Sequence, residues 1–235
     1  MTVEHVAAAL PSVAELRNHC RTLAVLDAIL RPAWEDRYFG YDSRWDTAAG
    51  RHMASMRNGS GDEYAIVFDP AGAYVRGFAH EAEMSPYGHD GQVWPGVLDD
   101  VPAAFAAQVA EPAFSDENDT PVVTACLWRE TADPAWRHGP IDFPAGPDPD
   151  GADGLFALLT DRRPEAYHAH AEDCLEAEID LAAVRAVFAG EPLTADLAAA
   201  LNPELTLADL AEDLAEIGHP AGRAPGEAGR AWLSC

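Results

Sequence analysis

Apolar positions change period early in the chain, and the change sets the expected fold class. Val13, Leu16, Cys20, Leu23 and Leu30 recur at the spacing of one helical face. Ser12 followed by Glu15 supplies a capping box at the start, and Pro32 disfavours α geometry at Arg31, so a helix is expected from Ser12 to near Leu30. One carboxylate, Asp27, falls inside that apolar face. Burial would oblige it to pair with an arginine from the sheet or to act as a perturbed acid in a cleft.

From residue 37 the period falls to two. Segments 38–45, 51–57, 63–68 and 73–78 are β-rich and separated by turn chemistry, which predicts four antiparallel strands. Asp69, Pro70 and Gly72 stand where a type I turn prefers them. Tyr64, Ile66 and Phe68 alternate with Ala65 and Val67 before that turn, as Tyr74, Arg76 and Phe78 alternate with Val75 and Gly77 after it. The run Asn58-Gly59-Ser60-Gly61 reads as a hairpin turn. Pro95 or Pro102 opens a short helix through Val109, and residues 122–128, apolar on both faces, suit a central fifth strand.

Residues 144–154 have loop composition and form a candidate boundary or lid. After Leu155 the pattern is helical, with Asp180, Thr194 and Thr206 as N-caps and Gly190 and Gly218 as stops. Leu207, Leu210, Ala211, Leu214 and Ile217 make one stripe, opposite Asp209, Glu212, Asp213 and Glu216. The expected architecture is an α+β domain over residues 1–220. Its mostly antiparallel sheet, residues 37–128, is covered by the N-terminal helix and a C-terminal helical segment. The small, polar tail, residues 221–235, is expected to be disordered.

Charge narrows the classes of function. The chain of 235 residues carries 40 acidic side chains against 15 arginines and no lysine, a formal charge of −25. Such a field repels phosphate backbones, and no basic patch offsets it, so nucleic acid is not expected as a partner and a basic protein is. The arginine, alanine, glycine and proline bias suits a GC-rich bacterial genome. No apolar run reaches membrane-spanning length, and residues 1–10 lack the basic start of a secretory signal. With four scattered cysteines and no C-x-x-C pair, the expected compartment is a reducing cytoplasm, with no membrane association.

Candidate chemistry is sparse. The stretch from Tyr167 to Cys174 contains His168, His170, Glu172 and Asp173, but helical geometry sends His168 and His170 in opposite directions. Asp148, Asp150 and Asp153 resemble a calcium loop without its register. No resident metal or cofactor is expected from either cluster. The chain has no nucleophile elbow, phosphate-binding glycine loop or dinucleotide fingerprint, and without lysine a Schiff base is impossible. Residues 34–46 interleave aromatics with both charge signs, which suits a docking face including Tyr41, Arg44 and Trp45.

The phrases Trp94-Pro95-Gly96-Val97-Leu98, Cys126-Leu127-Trp128-Arg129-Glu130 and Asn202 to Leu210 resemble a group of acidic bacterial cytosolic proteins of unknown function. No site residues follow from that resemblance. A small antiparallel sheet with helices and an acidic surface is also similar in architecture to bacterial immunity proteins. The leading expectation is a non-enzymatic binding protein, immunity or inhibitor-like, meeting a basic partner through Asp209, Glu212, Asp213, Glu216, Tyr41, Arg44 and Trp45. The alternative is a small metal-dependent hydrolase using His168, His170, Glu172 and Asp173.

Overall fold

A computed structural model describes residues 1–219, so the tail expected to be disordered lies outside the described residues. The elements run α1 (Val3–Ala9), α2 (Val13–Leu30), β1 (Phe39–Asp46), β2 (Arg51–Arg57), β3 (Glu63–Asp69), β4 (Gly72–Phe78), α3 (Ala106–Val109), β5 (Ala125–Glu130), α4 (Ala152–Leu155), α5 (Ala157–Thr160), α6 (Pro164–Leu175), α7 (Leu181–Phe188), α8 (Ala195–Leu201) and α9 (Ala211–Ile217). The class is α+β, as the change of hydrophobic period implies.

Strands β1 to β5 pair in chain order, each antiparallel to the next. The transverse row Tyr41, Ala54, Ile66, Val75 and Leu127 faces a core built with α2 and α4 to α9. One residue along, Met53, Val67, Tyr74 and Trp128 point to the other side. There Met84, Val97, Phe105, Phe114 and Val123, all from the long β4–β5 connection, form the third layer. That layer explains why β3 and β4 are buried on both faces although the sheet is antiparallel.

One placement differs from expectation in this half. The fifth strand starts at Ala125 and ends the sheet instead of lying at its centre. Its two apolar faces reflect the two covering layers, and its outer edge is closed by an antiparallel bridge between Trp128 and Arg137. Of the two candidate starts for the short helix, Pro102 is the one used: a 3₁₀ turn after it leads into α3, which ends at Val109.

Local chemistry fixes the helices. The Ser12–Glu15 capping box opens α2, with the Ser12 amide donating to the Glu15 carboxylate at 3.0 Å. Asp180 caps α7 through the amides of Ala182 and Ala183, and Thr194 caps α8 through Leu197. Thr206 does not start α9. It closes a turn with Asp209, whose carboxylate accepts from the Thr206 amide and hydroxyl, and helix geometry begins only at Ala211. The loop at residues 144–154 leads directly into α4, which enters the core shared with α2 and the sheet. Among the described residues no helix is long and apolar enough to cross a membrane.

Candidate functional site

Helix α9 lies against edge strand β1, and this contact joins the two groups of residues singled out in the sequence. The Ser43 hydroxyl donates to the Glu216 carbonyl at 2.5 Å. Arg37, at the head of β1, grips Asp213 through two hydrogen bonds of 2.6 and 2.9 Å. The remaining reach of Arg37 goes to the carbonyls of Arg31 and Pro32, so this guanidinium is a bracket between α9 and the α2–β1 turn. Asp213 is therefore spent inside the fold, whereas Asp209, Glu212 and Glu216 are exposed.

Like charges crowd at this junction. Partial burial, then Asp42 and Asp213, push the Glu216 carboxyl above its usual range, with Arg37 and Arg44 offsetting them in part. Asp42 is further fixed by the Arg44 amide, which donates to it at 2.7 Å. Beside this group Trp34 stands 61% exposed, with the Arg57 guanidinium over its ring at 4.6 Å. The crevice between them, about 50 Å³, is too small for an organic ligand, which needs roughly 300 Å³ or more.

Of the three β1 residues expected on the docking face, only Arg44 is exposed. Tyr41 is 3% exposed and points into the core, under Arg21 and bonded to His52 at 3.0 Å. Trp45 packs half-buried on the opposite side of the sheet, near Met53, Val67 and Phe114. The irregularity between the pairs Asp42–Met53 and Asp46–Arg51 separates them, because β1 advances four residues there while β2 advances two. Trp34 was hidden in the interleaved segment 34–46; nothing in its spacing distinguished it from the aromatics that turn inward.

The structure keeps His168 beside Glu172 but turns His170 away from them. The His168 ring meets the Ile179 carbonyl at 2.8 Å and Glu172 at 3.3 Å, closing the loop after α6. His170 turns the other way, into an aromatic group with Tyr38, Phe39 and Tyr167. Burial, assisted by Arg31, lowers its pKa and favours the neutral ring. Cys174 lies 3.8 Å from both nitrogens of that ring. Asp173 is exposed. Among the described residues no three His, Cys, Asp or Glu side chains converge as a metal site.

The acidic loop is structural in its contacts. Asp148 accepts from the Asp153 and Gly154 amides at the start of α4, and Asp150 from Val3 and Ala152. Asp27 is fully buried, as its position on the wheel requires, but its arginine comes from its own helix end and not from the sheet. Arg31 donates to it at 2.6 Å, the amides of Tyr38 and Phe39 at 2.6 and 2.9 Å, and the Tyr167 hydroxyl at 3.4 Å. This carboxylate fastens α2 to β1 and α6. Comparison with protein-family models, curated proteins and solved structures finds no match for the chain, so its function is argued from this geometry alone.

Proposed function

We propose that this chain is a non-enzymatic binding protein of a bacterial cytoplasm, which takes a basic protein partner on the α9–β1 face in the manner of an immunity-type inhibitor. The observation that carries the reading is the crowding of Asp42 and Glu216, next to the Arg37-paired Asp213, beside an exposed Trp34. Holding like charges together costs the free protein stability, and a cationic partner relieves that cost. Tryptophan is among the side chains most enriched at the energetic centres of protein interfaces.

The distribution of arginine favours the same reading. Arg31, Arg37, Arg51, Arg76, Arg163 and Arg185 are engaged by carboxylates of this chain, which leaves the excess negative charge on the surface. From Asp150 to Ile217 sixteen acidic residues face three arginines. Such a field speeds encounter with a basic surface and does so less as salt screens it over ~8 Å at physiological ionic strength.

Capture from lysate of the source cell at low and high salt tests this. The native chain is compared with Glu212→Gln/Glu216→Gln and with Trp34→Ala; Asp213 is kept, because its loss would strand Arg37. A basic protein retained by the native chain at low salt, and lost both at high salt and by each variant, is the expected outcome. Retention of the same proteins by all three chains, or of none by any, would sink the reading.

A further inference from the structure

A second feature lies away from the acidic face. Between the open end of the sheet, α4–α5 and α6 runs a cleft of about 440 Å³, within the size range of small-molecule sites. Phe39, Met56, Tyr64, Leu155, Leu158 and Leu159 give it an apolar floor. Asn58, Asp62 and Asp148 supply polar groups along its lining, with His170 and Cys174.

The charges facing the cleft have one sign. Among the described residues no arginine lines it, and the carboxylates of Asp62 and Asp148 are its only acidic groups. Burial raises the Asp62 pKa, but hydrogen bonds from the His80 side chain and amide and from Asn58 outweigh it and hold the carboxyl below its usual range. His80 donates to one Asp62 oxygen and Asn58 to the other, at 2.8 to 2.9 Å. The oxygen bonded to His80 is filled by its two donors, and the oxygen that meets Asn58 keeps a free lone-pair direction for a further donor. The aromatic rings of Tyr38, Phe39 and Tyr64 also line the space, and ring faces attract cations.

We propose that this cleft is a binding site for a small organic cation with an apolar body, an aryl or alkyl amine, whose ammonium group meets Asp62 and Asp148. Apolar walls hold the body, and the two carboxylates select its charge against anions of the same shape. Helix α9 contributes nothing to this site, although Tyr38 and Phe39 line both it and the crevice at the protein-binding face.

Three probes of one shape test the proposal: 4-phenylbutylamine, 4-phenylbutanol and 4-phenylbutanoate, titrated by calorimetry and by amide chemical shifts. The amine should bind about tenfold or more tighter than the alcohol, the carboxylate still more weakly, with shifts concentrated at Met56, Leu158 and Asn58. Gly154→Trp should abolish binding, because a Cβ at Gly154 meets nothing within 4 Å and the ring would occupy the mouth without strain in the fold. Should that variant unfold, Asp148→Asn provides the second arm: it keeps an acceptor for the Asp153 amide and should erase most of the preference for the amine. Equal binding of amine and alcohol overturns the charge assignment. Binding that survives a folded Gly154→Trp, shifts that map elsewhere, or no binding by any probe overturns the site.

Discussion

At the scale of single residues, two buried carboxylates do most of the joining. Asp27 could be picked out from the helical wheel alone, since a charge within an apolar stripe must be buried and paired. Its partners could not: two are backbone amides at the head of β1, and amides carry no signature in a sequence. Asp150 looked like a calcium ligand and instead anchors α1, through the Val3 amide at 2.8 Å. Burial raises its pKa from 3.8 to about 6, against the pull of the Val3 and Ala152 amides. Folding thus favours the neutral carboxyl. That contribution is whole below about pH 4 and is lost as pH rises through about 6. The loss amounts to about 3 kcal/mol at about 1.4 kcal/mol per pKa unit. Urea unfolding from pH 4 to 7 should show the native chain losing stability relative to Asp150→Asn across this window. Parallel curves would mean that Asp150 titrates normally.

At the scale of elements, what the spacing predicted well are those with local causes. The capping box of α2, the Asp180 and Thr194 caps and the Asp69–Gly72 hairpin are each written within a few residues, and each forms. Helix α1 escaped notice because its seven residues are too few to establish a period. The Thr206–Asp209 turn has the same capping residues as a helix start, so local spacing does not distinguish it from the start of α9. Packing between elements adds a constraint that spacing does not show. At Gly77 on β4 a Cβ would stand 2.6 Å from Phe156 Cζ and 3.0 Å from Leu155 Cδ1, at the α4–α5 joint. Phe156 is fully buried, so it has little room to retreat. Gly77→Ala should cost about 1–3 kcal/mol as overpacking, seen as a lower urea midpoint at unchanged slope. An unchanged midpoint would show that the joint yields freely.

At the scale of the whole molecule, charge dominates. A formal −25 opposes compaction by self-repulsion, even with many arginines paired internally. Added sodium chloride should therefore raise the melting temperature, most steeply at low ionic strength, where the screening length shrinks fastest. A melting temperature indifferent to salt would imply that the carboxylates lie too far apart to repel, and would weaken the case for crowding at α9. The two proposed sites belong to this scale as well. Neither is contiguous in sequence: one joins β1 to α9, the other joins the sheet's open end to α4, α5 and α6.

The sequence by itself determined the α+β class, the antiparallel order of the first four strands, the burial of Asp27 and the sign of the surface field. Each depends on period, local turn chemistry or composition, which are properties of neighbouring residues or of simple sums. Tertiary structure alone decided that Tyr41 faces inward while Trp34 faces out, and that β5 ends the sheet. It also decided that Asp213 is consumed by Arg37, and that a cleft lies between residues up to 136 positions apart, Tyr38 and Cys174. These outcomes depend on how distant segments share limited space, and a side chain's neighbours across the fold leave no periodic trace along the chain.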